Sequence, residues 1–152
     1  MDVTIAAVGK LGRSAEADLT AAYTRRLPWR CRTVEIAESR ADDPVRRKRD
    51  EAARLNAALS KTDWRLMLDE TGDLLTSRQL ADQIHRRRAA GQRHLGIAIG
   101  GPDGLDGDFL KQDGLIVSFG RLTWPHKLVR AMLAEQLYRA WTITQGHPYH
   151  RD

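Results

Sequence analysis

The feature that most constrains this chain is a regular exchange of two hydrophobic periods along it. Short apolar runs alternate with amphipathic stretches of helical period from Val3 to Thr144. The apolar runs 3–8, 31–37, 64–68, 95–99 and 115–119 read as strands, and most of them are closed by glycine or a turn-forming cluster. Between them, Ser14 caps a helix that runs to Leu27 and stops before Pro28. Asp43-Pro44 opens a second helix, with Ala53, Leu55, Ala58 and Leu59 expected toward the core. Thr76 or Ser77 opens a third, with Leu80 and Ile84 inward and Gly91 at its end. A short helix at 108–112 precedes the last strand. The longest helix, 126–144, follows it, with Leu128, Met132, Leu133, Leu137 and Trp141 as the expected core stripe. Strand–helix alternation of this kind predicts an α/β fold, a mainly parallel sheet with helices on both faces. With no internal repeat and no long linker, residues 1–152 read as one domain.

Composition narrows the function. The 152 residues are 41% hydrophobic and 30% charged, too apolar for a disordered chain. A single cysteine, Cys31, excludes an internal disulfide framework. No apolar run approaches the ~18–20 residues of a membrane span, and the start of the chain lacks a signal-peptide pattern, so a cytoplasmic protein with no membrane partner is expected. Lys plus Arg exceeds Asp plus Glu, 25 against 20, for a net charge of +5. That surplus suits a polyanionic partner such as RNA and equally suits simple solubility. The runs 25–26, 46–49 and 86–88 read as solvated helix faces.

Ligands of parallel sheets bind beyond the carboxyl ends of the strands. Three loops there have unusual composition, 68–72, 100–104 and 119–125, and their convergence would make a pocket. The dinucleotide fingerprint and the phosphate-binding loop are absent; Gly9-Lys10-Leu11-Gly12 matches neither. No nucleophile elbow is present. His147 and His150 lack an obvious third ligand, so no metal is expected. The tail instead compresses His147, Tyr149, His150 and Arg151 around Pro148, groups able to stack on a base, move a proton and hold an anion.

Four segments then carry a resemblance: Gly100-Gly101-Pro102-Asp103-Gly104-Leu105, the run 122–130 from Leu122-Thr123-Trp124-Pro125-His126 to Arg130, Glu135-Gln136-Leu137-Tyr138-Arg139-Ala140, and His147-Pro148-Tyr149-His150. Together with Ala7-Val8-Gly9-Lys10 and the Leu68-Asp69 turn, they resemble the ribosomal RNA large subunit methyltransferase H family of SPOUT, or α/β-knot, enzymes. The resemblance implies a C-terminal trefoil knot, an exception to the rule that chains do not thread. It also implies S-adenosylmethionine as cofactor, a homodimer, and methylation at N3 of a pseudouridine in 23S ribosomal RNA on the ribosome. Carried over residue by residue, the cofactor pocket falls on Leu68, Gly100, Phe119, Gly120, Arg121, Leu122, Thr123 and Trp124. Gly120 stands where the family carries serine, and Trp124 where it carries a smaller aliphatic residue or phenylalanine. The substrate side falls on Tyr149, His150 and Arg151. In that scheme Tyr149 positions the base, His150 assists removal of the imide proton and Arg151 steadies the charge left behind. His126, at the entry of the last helix, is expected to be structural or to organise the cofactor loop, and not to act in the chemistry. Leu133, Leu137, Trp141 and Ile143 supply both core and dimer-interface candidates. Within the same fold, a tRNA substrate and a non-catalytic RNA-binding role are the rival readings.

Overall fold

The computed structural model describes residues 1–151. Its strands are β1 (Asp2–Val8), β2 (Arg30–Ile36), β3 (Trp64–Leu74), β4 (His94–Ile99) and β5 (Leu115–Ser118). They form one sheet in the order β2-β1-β4-β3-β5, and the four pairings are parallel. The helices are α1 (Ala15–Arg26), α2 (Pro44–Ala58), α3 (Ser77–Ala89), α4 (Gly107–Leu110) and α5 (His126–Thr144). The expected parallel α/β architecture is what forms.

The two-residue period of each strand divides the core into two layers. Val3, Ile5 and Ala7 of β1 face α1, α3 and α5, where Leu133 and Leu137 are fully buried. Ala6 and Val8 point the other way, onto Leu55 of α2, Leu59 at its end and Phe109 of α4. Each such buried leucine contributes roughly 1.5–3 kcal/mol of apolar transfer. The helix starts form as their sequences require. Ser14 Oγ accepts from the Ala17 amide, and Asp43 caps α2 with Pro44 at its first position. Thr76 is the N-cap of α3, in a reciprocal capping box with Gln79.

Four expectations are corrected. In α2, Ala53 is exposed and Ala52 turns inward with Leu55 and Leu59. In α5, Leu128, Met132 and Trp141 are only half-buried, because α5 is packed between α1 and α3 and its deepest line is Arg130, Leu133, Ala134, Leu137 and Tyr138. The 86–88 arginines are not all solvated: Arg87 lies over the Trp64 ring at 4.8 Å and Arg88 over Trp29 at 5.8 Å. Their stems and charge cover aromatic faces at the edge of the core. Finally, β3 does not end at Leu68. It leaves the ladder there and resumes at Asp73, so that Leu68 and Asp73 both pair with Val117 of β5.

That return brings two backbones unusually close. A Cβ on Gly72 would lie 2.6 Å from the Val117 nitrogen and 2.7 Å from the Ile116 carbonyl carbon. Backbone atoms cannot swing aside as a side-chain tip can, so β5 would have to move. Gly72→Ala is therefore expected to cost about 2 kcal/mol, seen as a lower urea midpoint at unchanged slope. Gly107→Ala, where a Cβ meets open space, should stay within about 0.5 kcal/mol of the parent protein.

Candidate active site

The carboxyl ends of β4, β3 and β5 lie side by side, and the loops leaving them enclose a cavity of about 430 Å³. Its walls are residues 68–71, 99–105 and 117–124 in large part, with Lys48, Gly107, Leu110, His126 and Val129 closing the sides. Of the cofactor-side residues expected from sequence, Leu68, Gly100, Phe119, Gly120, Leu122, Thr123 and Trp124 line it. Arg121 does not; it stands exposed on the same loop.

Local chemistry explains each wall. Gly100 closes a turn in which the Gly104 amide donates to the Gly101 carbonyl at 3.0 Å. A Cβ on Gly100 would meet the Gly104 carbonyl carbon at 2.7 Å, so the turn closes only around glycine. Arg47 Nε donates to Asp103 at 2.7 Å, ties this loop to α2 and holds the Asp103 carboxyl below its usual range. At the first loop, Asp69 Oδ1 accepts from the Thr71 hydroxyl at 2.6 Å and from the Thr71 amide at 3.0 Å. At the third, Ser118 Oγ donates to the Gly120 carbonyl at 2.9 Å and accepts from the Gly120 amide at 3.2 Å. Leu122 and Trp124 are left 70% and 37% exposed at the rim, apolar surface suited to being covered by a ligand or another chain.

Arg130 anchors the floor beside this cavity. It is 1% exposed, and its Nη2 donates to the Val8 and Gly9 carbonyls, both at 2.7 Å. Burial pulls its pKa down, opposed by Glu35 at 3.6 Å. Glu35 also accepts the Leu11 amide at 2.7 Å, so Arg130 and Glu35 together pin the turn after β1. A Cβ placed on Gly9 would sit 3.4 Å from His126 Nε2 and 3.8 Å from Arg130 Nη2. His126, expected to be structural, is thus both a helix-entry residue and a cavity wall.

The tail folds back elsewhere. The Tyr149 ring meets Tyr138 edge-on at 4.9 Å, and its hydroxyl donates to Glu135 Oε1 at 3.0 Å and lies 3.3 Å from the Tyr23 hydroxyl. Burial, then these two contacts, push the Tyr149 phenol well above the ordinary tyrosine range. His150 lies against Arg139, and Arg151 is exposed. None of these three residues is among those lining the cavity of the same chain. The tail borders a second, apolar groove of about 600 Å³ between α1, α3 and α5, walled by Leu19, Tyr23, Leu74, Leu128, Met132 and Glu135 among others. The two hollows share the wall 117–120. Of the four interface candidates, Leu133 and Leu137 are fully buried, whereas Trp141 and Ile143 are half-buried.

Among the described residues no cluster of His, Cys, Asp and Glu could hold a metal, and no helix is long and apolar enough to cross a membrane. Burial pushes the Cys31 thiol up to about 11, which leaves it a poor nucleophile near neutral pH. Sequence reasoning missed Leu105, Leu110 and Val129 as cavity residues. Their spacing is that of ordinary core and helix-start positions, and only the fold turns them toward the hollow.

This fold and cavity define a class, a parallel α/β protein holding a small ligand at the carboxyl ends of adjacent strands. The family model described as "Predicted SPOUT methyltransferase" matches residues 1–150. Proteins named "Ribosomal RNA large subunit methyltransferase H" from Mesorhizobium japonicum and Agrobacterium fabrum are 43% and 44% identical to the chain, each over 99% of both chains. One from Sinorhizobium fredii is 45% identical over the same share. The chain belongs to the SPOUT methyltransferases and, among them, to the ribosomal RNA large subunit methyltransferase H family. Two solved structures share the fold alone. A probable methylase family protein of Haemophilus influenzae superposes with a TM-score of 0.61 at 10% identity, over 99% of this chain and 70% of that one. A putative methylase family protein of Neisseria gonorrhoeae gives 0.59 at 12%, over 99% and 86%.

Arg130→Met leaves two buried carbonyls without their donor and is expected to cost about 2 kcal/mol by chemical denaturation. Arg130→Lys, which keeps a cationic donor group, should recover part of that loss.

Proposed function

We propose that this chain is a cytoplasmic, homodimeric, single-domain enzyme that transfers a methyl group from S-adenosylmethionine to N3 of a pseudouridine in 23S ribosomal RNA. The observation that carries the reading is the cavity at the ends of β3, β4 and β5, together with the name its relatives bear. A cavity of this size lies within the ~300–1,000 Å³ range of small-molecule sites. Its chemistry suits a nucleoside that bears a cationic sulfonium. Leu68, Ile99, Leu105, Val117 and Val129 offer an apolar bed, the backbones of 100–105 and 119–123 offer polar edges, and Asp69 and Glu70 place negative charge at the mouth.

When bound there, the sulfonium supplies a methyl group already activated for transfer. The protein's part is to hold that methyl in line with the base nitrogen, to exclude water and to favour the imide anion. Leu68, Gly100, Phe119, Gly120, Leu122, Thr123 and Trp124 form the donor pocket, with Arg121 above it on the same loop. The close passage of β5 over Gly72 suits a threaded C-terminal segment that keeps those loops together.

Tyr149, His150 and Arg151 serve the substrate. Because they lie outside their own chain's cavity, the reading assigns them to the cavity of a second copy. The apolar groove beside the tail, which shares the wall 117–120 with the cavity, is the face on which that copy would seat. The basic surplus suits the RNA partner.

Methyl transfer from labelled donor, compared on naked 23S RNA, isolated large subunits and intact ribosomes, tests the substrate. No incorporation into any of the three would remove the reading. Gly100→Val should weaken donor binding at least tenfold by calorimetry, and unchanged affinity would take that loop out of the pocket. If each site is shared by two chains, Gly100→Val and His150→Phe should each be nearly inactive alone. Their mixture should regain up to about a quarter of the parent rate after subunit exchange.

A further inference from the structure

Arg139 makes contacts that an ordinary helix-surface ion pair does not explain. Its Nε and Nη2 both donate to Glu135 Oε1, at 2.9 and 2.5 Å. Its Nη1 lies 3.3 Å from His150 Nδ1. Its guanidinium carbon stands 4.8 Å from the centre of the Tyr149 ring, whose hydroxyl donates to the same Glu135 oxygen. One planar group of α5 thus holds the tail at two points, the His150 ring nitrogen and the Tyr149 ring, while Glu135 steadies it from its own helix. The Glu135 hydrogen bond raises the Arg139 pKa beyond its already high value, so the guanidinium stays charged.

A charged guanidinium has five N–H donors and no acceptor. Its hydrogen bond to an imidazole nitrogen therefore has one polarity, with Nδ1 of His150 accepting. An accepting Nδ1 carries no proton, and a neutral ring then keeps its proton on Nε2. We propose that Arg139 is a positioning residue that fixes His150 in the Nε2–H tautomer. In that form His150 donates a hydrogen bond to a carbonyl oxygen beside the reacting imide nitrogen, and does not take that nitrogen's proton. The inference rests on the functional reading above, since it needs the tail at the substrate.

The step it serves balances without a protein base. The N3 proton passes to water, and the imide charge spreads onto the two flanking carbonyl oxygens. The N3–carbon bond then forms as the carbon–sulfur bond breaks, and that bond's electron pair stays on sulfur. A fixed donor aimed at one of those oxygens lowers the cost of the anion, as an oxyanion-stabilising group does. This assigns His150 a different part from the proton removal expected from sequence.

Nitrogen-15 spectra of the histidine-labelled full-length protein read the tautomer directly at about pH 9, above the ordinary histidine value near 6.5. His150 is expected to show a protonated Nε2, a bare Nδ1 and no measurable Nδ1–H form. Arg139→Met should introduce the Nδ1–H form, and Arg139→Lys, which keeps a cationic donor, should reverse part of that change. An Nδ1–H ring in the parent protein, or a balance that Arg139→Met leaves untouched, overturns the assignment. Turnover supplies the second readout. His150→Gln, whose amide donates near the Nε2 position, should stay within about tenfold of the parent, while His150→Phe falls about 100-fold or more. Equal losses in the two variants would overturn the donor role alone. Parent-like turnover in both would overturn the donor role and with it the placement of the tail at the substrate.

Discussion

The second engagement of β3 with β5 is the constraint on which the rest depends. A strand that simply ended at Leu68 would leave the edge strand β5 held by three pairs, free to shift its register. By resuming at Asp73, β3 grips β5 again at Val117 and Ser118, with the backbones in contact across Gly72. The segment 119–124 leaves β5 directly beyond that grip. Its position relative to the loops 68–71 and 100–105 is therefore set by main-chain pairing instead of by side chains on a mobile loop. The proposed donor pocket, with its backbone edges, needs this, because backbone groups can be aimed only by fixing the chain that carries them.

Against that rigid half, the tail is held by side chains. Tyr149, Arg139, Glu135, Tyr138 and Tyr23 form one cluster, with Arg26 over the Tyr138 ring at 4.1 Å. Charge-assisted bonds and ring contacts replace the sheet ladder as the means of fixing a chain end that would otherwise fray. The two modes of fixation suit two tasks. On the proposed function, the donor pocket must present the same backbone edges at every turnover, whereas the tail must meet a folded RNA that arrives from outside.

Much of this was legible in the residues. Strand–helix alternation and the capping signals at Ser14, Asp43-Pro44 and Thr76 are local, and local chemistry survives folding unchanged. The three cavity loops were legible for the same reason, since glycine after a strand marks a backbone constraint whatever surrounds it. The outward seam of α5 was not legible. Leu128 and Met132 have the spacing of core residues, and only the placement of α1 and α3 on either side decides that Arg130 goes in and they stay at the groove. Nor was the Arg139 contact. Glu135 and Arg139 have the spacing of an ordinary i, i+4 pair, and the reach of Arg139 to His150 exists only once the chain turns back after Gly146.

Charge distribution links the two halves of the proposed reaction. The chain carries +5 overall, which favours RNA, yet a uniformly positive surface would repel a sulfonium as well. On the proposed function, Asp69 and Glu70, which line the cavity together with Lys48, ease the conflict locally. At physiological salt the screening length is about 8 Å, so carboxylates lining the cavity act there without cancelling the basic surface farther away. On the proposed reaction the donor loses its positive charge with the methyl group. The attraction at the mouth then ends with the chemistry, and the spent donor is held by the apolar bed and backbone edges alone.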